Sequence, residues 1–511
     1  MKNKKILIIL DISTDKDIHR NECSIVRLDK GRIILKNFKD LSYRINFKNN
    51  NNYYNKIISS QIIKYLKKFR KYLSLKDLLL TEVANLRDDK IELYDKIKSI
   101  LEIKKLNLEK NFEIEIITDK EYAKNIYNQV FKKFKITDFS KKNKTNYYIK
   151  FLLSRTRFTI KLFLIKIYLK FFGNKYQHKN KLALSIYPIM NTNKNNNFYI
   201  NNDFLYLNFL IADETHTDTR IFNVIKKINF LSNKKLLFNI EQNFKITDIF
   251  FHYVLSLEKL KLLNYMNSQK LVVNKINFDH LFQNYFFISI LNFLKLESYR
   301  RPLVNFFMKN KQIKEFHYFL FEYNFGFFLS ETIKSKKFDI KLYGYQHGIF
   351  GNNTPWFDII KKFDRFNFTP DKIFYRYKES KKTYLKKISA VYKSNLYNTN
   401  NFNKKLIPKI SKSNNNCLIF LGLHDGEDII NQILQDTNFR KNFKKIYIKY
   451  HPKKKNLIFN YPNDKITFVN NANKIKVKKI YMSSSSSLSY IFKDLKIPFN
   501  LINIPYKSYK K

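Results

Sequence analysis

Three short clusters hold the residue types that could bind and transfer a charged group. The first is Tyr343–Gly351, Tyr-Gly-Tyr-Gln-His-Gly-Ile-Phe-Gly. The chain has only 8 glycines in 511 residues, and Gly344, Gly348 and Gly351 fall in this one stretch around His347. Glycine in so glycine-poor a background marks a turn or a close approach of backbone to a ligand. The second cluster is His451-Pro452, which follows the alternating run Ile446-Tyr-Ile-Lys449-Tyr. Proline fixes the turn and withholds a donor, so the chain leaves the sheet there with His451 at the strand's carboxyl end. The third is Ser483–Ser487, five hydroxyls between the apolar Ile480-Tyr-Met482 and an amphipathic run from Leu488. Hydroxyls and backbone N–H groups at such a turn suit a phosphate. A flexible serine linker is the other reading, and the apolar segments on both sides speak against it.

A possible acid–base group precedes them. Glu322 lies in Tyr318-Phe-Leu-Phe-Glu-Tyr-Asn-Phe-Gly326, among aromatic residues. A carboxyl buried there must be paired, neutral or functional. On the solvated side of an aromatic helix it would be none of these. Asp213-Glu-Thr-His-Thr-Asp-Thr-Arg220 is the most polar patch of the middle of the chain. One His with scattered carboxylates is thin as a metal set, and a loop opening a helix is the simpler reading.

The positioning elements follow from periodicity. Phe338–Tyr343 alternates as a strand that delivers the glycine-rich loop. After the polar stretch Lys393–Asn416, strand and helix patterns alternate: a buried strand Asn416–Leu423, a helix Ile429–Phe443, strands Ile446–Lys449, Lys465–Val469 and Lys478–Met482, a helix Leu488–Leu495 and a last strand in Pro498–Ile504. Such alternation predicts a parallel sheet, with ligands at the carboxyl ends of its strands. Residues 1–140 also read as an α/β unit, from the strand Lys5–Leu10, helix-spaced apolar residues over Lys56–Leu80, and the strand Phe112–Thr118 followed by Asp119 as a helix cap. Residues 255–335 read as mostly helical.

Composition bounds the classes. With 44% hydrophobic and 17% aromatic residues the chain is not disordered. Its formal net charge of +55 has two readings. The enriched residues Lys, Asn, Ile, Phe and Tyr all have A/T-rich codons, so genome composition explains the charge. Attraction to nucleic acid, anionic lipid or a phosphate-bearing substrate is the alternative. The lysines are spread along the chain and no nucleic-acid-binding module appears, so no specific nucleic-acid partner is expected. Cys23 and Cys417 form no metal spacing and no disulfide framework, which fits a reducing cytoplasm. Met1–Leu10 reads as a strand and not a signal peptide. The apolar run Phe151–Phe172 is broken by Arg155, Arg157, Lys161, Lys166 and Lys170. It reads as a core helix with a basic face, or as a helix lying on a membrane surface.

In order and placement, Gln346-His347-Gly348, Lys449 with His451-Pro452, and Ser483–Ser487 resemble the GT-B glycosyltransferases that build bacterial surface polysaccharides from CMP-activated sugars, the capsule and sialyl- or Kdo-transferase group. The resemblance runs from about residue 315 to the end. It implies an α/β, GT-B-like fold: two Rossmann-like domains facing a cleft, with a largely helical insertion in the N-terminal half. The acceptor-side domain would be residues 1–365 and the donor-side domain 366–511. It further implies that His451, Pro452 and Ser483, Ser484, Ser485, Ser486 and Ser487 hold the CMP moiety, with Lys449 nearby. Glu322 is the expected base, with His347 second, and Gln346 and Gly348 shape the loop. No metal or other cofactor is expected. Partners would be a CMP-linked acidic sugar and a glycan or lipid-linked glycan acceptor, with the enzyme in the cytoplasm, either free or peripheral on the inner membrane. A teichoic-type polyol-phosphate transferase using CDP-glycerol or CDP-ribitol is the nearest alternative. Those enzymes usually carry an acidic residue before the serines, where this chain has Met482. An inactive GT-B scaffold and a polyanion-binding protein are the rivals of another class.

Overall fold

The computed structural model describes residues 5–12, 23–29, 32–36, 51–84, 91–140, 146–173, 176–185, 203–212, 220–231, 236–319, 323–345, 366–374, 407–422, 426, 429–430, 436–451, 465–483, 486 and 488–502. The chain is α/β and divides into two units. One holds residues 1–346 with 355–373 and 388–392, and the other holds 347–354, 374–387 and 393–511.

The first unit contains two sheets. In the first, β1 (Lys5–Asp11), β2 (Ser24–Asp29), β3 (Arg32–Lys36), β4 (Phe112–Thr118) and β5 (Lys135–Asp138) lie in the order β3-β2-β1-β4-β5. β1 pairs in parallel with both β2 and β4, while β2 and β3 form an antiparallel pair. The apolar run Ile6–Leu10 carries no alternation because Leu7 to Leu10 are all buried, as a central parallel strand covered on both faces requires.

The second sheet comprises β6 (Lys181–Ser185), β7 (Phe204–Asn208), β8 (Leu237–Asn239), β11 (Glu315–Phe319), β12 (Lys341–Tyr345) and β13 (Lys372–Phe374), ordered β13-β12-β11-β6-β7-β8. A two-residue hairpin pair, β9 (Val272–Val273) and β10 (Ile276–Asn277), stands apart from it. Counted within this sheet, the order is 3-2-1-4-5-6, that of the doubly wound dinucleotide-binding fold, with the winding reversing between β6 and β11. The first unit therefore contains a mixed sheet and a second sheet that reaches on to β13, where the sequence reading expected, over 1–365, one Rossmann-like domain with a helical insertion. The strands it missed are three to five residues long, too short for alternation to stand out against an apolar background. β11 fell in the stretch read as mostly helical.

Helices join the two sheets. Tyr65 and Phe69 of helix Asn51–Lys67 and its continuation pack edge-on against Phe282 and Phe286 of helix Asp279–Ser298. A buried ion cluster adds a second link. Glu331, in the helix Asn324–Ser335 that follows β11, receives Lys76 Nζ at 2.6 Å and the Arg300 guanidinium. Arg300 also forks onto both Glu297 carboxylate oxygens at 2.9 Å and lies over the Phe328 ring.

The second unit holds β15 (Asn416–Phe420), β16 (Lys445–Lys449), β17 (Ile466–Phe468), β19 (Lys479–Ser483) and β20 (Asn500–Ile502), ordered β17-β16-β15-β19-β20 and parallel throughout. Beside it, β14 (Lys409–Ile410) pairs with β18 (Lys476–Val477). Each of the four strands read after residue 440 appears within a residue or two of its expected place. The sheet's two faces are separately packed: Cys417, Ile419, Ile446 and Ile448 on one side, Leu418, Phe420, Ile480, Met482 and Phe492 on the other. Cys417 is a packed core thiol, pushed up to about 12 by burial. In place of one helix over Ile429–Phe443, Asp436 caps a separate short helix, Thr437–Lys441, by accepting from the Phe439 N–H at 2.9 Å. At the other end of the chain, Asp119 caps no helix: the next one runs Ala123–Tyr127, and Asp119 pairs with Lys120.

Candidate functional site

The winding of the second unit reverses between β15 and β19, so its crevice opens at their carboxyl ends. Phe420 of β15 is in register with Lys449 of β16 on one side and Met482 of β19 on the other. His451, two residues past β16, and the serine run starting at the end of β19 therefore share one sheet edge. They are separated by the width of β15, about 10 Å at the usual strand spacing. Lys449 and His451 are half-buried there. Between them Tyr450 stacks on Phe468 at the end of β17, rings 4.6 Å apart and 4° from parallel.

The serines divide by role. Ser483 is fully buried as the last residue of β19. Ser486 is also buried; its N–H donates to Ser483 O at 3.0 Å, and its Oγ accepts from the Leu488 N–H at the start of helix Leu488–Asp494. Ser489 Oγ donates back to Ser486 O at 2.9 Å. Ser486 thus builds the turn, and its N–H is not among those open to a ligand. Ser484, Ser485, Ser487 and Pro452 lie outside the described residues.

In the first unit, β11 and β12 are adjacent parallel strands, Glu315↔Lys341 through Phe319↔Tyr345. Glu322 comes three residues after β11 in sequence, and Gln346-His347-Gly348 directly after β12. All four lie outside the described residues, as do Asp213–Thr219. On one face of these strands a polar chain appears that sequence reasoning missed. The Tyr345 hydroxyl lies 2.8 Å from His317 Nδ1, and His317 Nε2 lies 3.1 Å from Glu315 Oε2. The ring of His317 stacks on Tyr343 at 4.4 Å. Burial holds His317 below the usual imidazole range, and the neighbouring Glu315 opposes this only in part. A neutral imidazole with a carboxylate on one nitrogen and a phenol on the other fixes the end of β12, the strand that leads into Gln346.

The ends of three other strands are consumed internally. Asp11, at the end of β1, is fully buried and takes Lys96 Nζ at 2.8 Å and the hydroxyls of Tyr127 and Tyr122 at 3.2 and 3.4 Å. At the ends of β7 and β8, Asn208 donates to Asn239 at 2.6 Å. Beyond them Glu241, wholly buried, gathers the N–H groups of Leu210 and Ile211 and the Tyr299 hydroxyl on Oε1. A cavity of 730 Å³ with lysines and glutamates on its walls lies at the amino ends of β1, β4 and β5, away from the edge where open sheets bind ligands.

No family model, curated protein or solved structure matches this chain. Among the described residues, no group of three His, Cys, Asp or Glu side chains is arranged to hold a metal ion.

Glu241 gives a direct test of the loop after β7. Burial pushes its carboxyl up to about 7, against the pull of its three donors. A carboxyl raised on folding stabilises the fold fully below its unfolded value and loses that contribution as pH rises through the folded one. Unfolding free energy should thus fall by about 2–3 kcal/mol between pH 4.5 and 8 from this group. Glu241→Gln, which keeps an acceptor oxygen and cannot ionise, should flatten that slope in denaturant titrations across the range.

Proposed function

We propose that this chain is a GT-B glycosyltransferase that moves an acidic sugar from a CMP-activated donor to a cell-surface glycan acceptor. The observation that carries the reading is the second unit's sheet, in which the serine run follows the strand at the winding reversal and His451 follows the strand two places away. A nucleotide phosphate at that edge meets serine hydroxyls, an imidazole and Lys449, while Tyr450 and Phe468 offer a flat ring pair near a base. The first unit's 3-2-1-4-5-6 sheet supports the acceptor role, since Glu322 and Gln346-His347-Gly348 follow its neighbouring strands β11 and β12. In the reaction Glu322 takes the proton of the acceptor hydroxyl, whose oxygen bonds to the anomeric carbon as the bond from that carbon to the CMP phosphate oxygen breaks. CMP leaves with the electron pair, and its phosphate charge is stabilised by His451, Lys449 and the serine turn.

Thermal shift against CMP, CDP, UDP and a short DNA at physiological salt tests the donor class. CMP at a hundredfold excess over its Kd should add about 2.7 kcal/mol of stability. Ser484→Ala/Ser485→Ala should remove the shift. Stronger stabilisation by CDP would move the reading to polyol-phosphate transfer. A response to DNA alone that disappears at high salt would sink the transferase.

A further inference from the structure

The helix Tyr147–Phe172 is 26 residues long, about 39 Å at the usual rise. One face is buried in the first unit through Phe151, Phe158, Leu162, Ile165 and Leu169. The opposite face is apolar as well. Ile149, Leu153, Ile160, Leu164, Ile167 and Phe171 recur at helical spacing and are 37–73% exposed. The helix Ile246–Leu257 packs alongside, with Phe163 against Phe250 at 6.0 Å and the hydroxyls of Thr156 and Tyr253 at 3.1 Å. It extends the apolar surface with Phe250, Phe251 and Val254, all more than half exposed. Isolated exposed apolar residues need no explanation, but a continuous two-helix face does.

A basic flank runs along the same helix. Lys150 and Lys161 directly follow Ile149 and Ile160, Arg157 comes one turn after Leu153, and all three line a cavity of 320 Å³. Ser154 and Leu153 line it too, and the buried Lys295 of helix Asp279–Ser298, which has partners of its own, forms part of its wall. None of its described lining residues is acidic. Behind it Arg155, almost wholly buried, reaches Ser298 one turn beyond Lys295. Burial lowers the Arg155 guanidinium to about 10. Among the described residues no helix is long and apolar enough to cross a membrane.

We propose that this face docks on an anionic bilayer, with the apolar strip at the headgroup–acyl boundary and the basic cavity receiving the phosphate of a lipid headgroup. Apolar strip and cationic flank on one helix face are the chemistry of an interfacial helix. A second copy of this chain would bring the same Lys150, Arg157 and Lys161 charges toward each other, whereas an anionic surface complements them. The inference does not depend on the transferase reading, since an inactive chain would dock equally.

The test is co-sedimentation of the full chain with vesicles of phosphatidylcholine alone and with 30% phosphatidylglycerol added. Binding should require the anionic lipid. Arg157→Glu/Lys161→Glu should weaken it more than twentyfold, since each cation near an anionic surface is worth about fivefold. Lys441→Glu/Lys445→Glu in the second unit changes the net charge equally and should alter binding less than twofold. Ile160→Glu/Leu164→Glu, at exposed positions, should abolish binding with the melting temperature unchanged. Leu153→Asn gives a milder check should that double variant fail to fold. Equal losses from both charge pairs would reduce the effect to diffuse attraction and overturn the proposal. So would full binding by the apolar variant. Stabilisation by inorganic phosphate without vesicle binding would assign the cavity to a soluble anion instead. A dimer dispersed by Ile160→Glu/Leu164→Glu, with no vesicle binding, would assign the face to self-association.

Discussion

Glu322→Gln is expected to lower sugar transfer by a factor of 10²–10⁴ while CMP binding stays intact. The amide keeps the size and an acceptor oxygen of the side chain but cannot take the acceptor hydroxyl's proton. The loss should therefore appear in kcat and leave donor-induced thermal stabilisation unchanged. His347→Ala is the companion variant. If it alone removes turnover, the base is His347 and Glu322 has a lesser part. If neither variant slows transfer, the acid–base assignment fails on both counts. The His317 chain predicts a subtler effect. Its imidazole is neutral and wedged between Glu315 and Tyr345, so Tyr345→Phe should perturb the loop that follows β12 without removing any group that touches substrate.

Glu331→Ala is the substitution expected to cost most in stability, about 3–5 kcal/mol. Glu331 is buried at a point where Lys76 and Arg300 both converge on it. Truncation leaves two cations without their shared carboxylate, and the Arg300 fork onto Glu297 compensates only part of that loss. Because Lys76 belongs to the helices of the first sheet and Glu331 to the helix after β11, the damage should reach across the first unit. Chemical denaturation should show a lower midpoint. Glu331→Gln should fall between wild type and Ala, since it retains an acceptor but not the charge. A loss under 1 kcal/mol for Glu331→Ala would mean that the cluster is merely tolerated by the fold.

The second unit was the legible part of the sequence. Its core strands, such as Cys417-Leu-Ile-Phe420, are continuous apolar runs bounded by turn residues, and Pro452 and the serines mark where the chain leaves the sheet. The second sheet was not legible. Glu315-Phe-His-Tyr-Phe319 is a central strand, yet its aromatics sit in a neighbourhood equally rich in Phe and Tyr, where strand and helix periods look alike. Leu237-Phe-Asn239 is shorter than any pattern can reveal. Glu241 gave no signal because its burial depends on Tyr299 and on the N–H groups of Leu210 and Ile211, which meet only in three dimensions. The cationic flank of helix Tyr147–Phe172 was visible as basic residues in an apolar run. That they share a cavity with Lys295 was not, because this depends on the packing of a helix more than a hundred residues later.

The pairing of β6 with β11, Lys181↔Glu315, sets a timing problem for synthesis. The partner strand is roughly 130 residues downstream, so a ribosome adding 5–20 residues per second delivers it about 7–26 s after β6 emerges. Through that interval β6 can pair only with β7 on its other side, and one row of its backbone groups faces solvent or a chaperone. Long-range parallel pairing is slow to form even in the complete chain. The step that closes the second sheet should therefore be the one most exposed to misassembly, and slower translation between codons 210 and 310 would prolong that exposure.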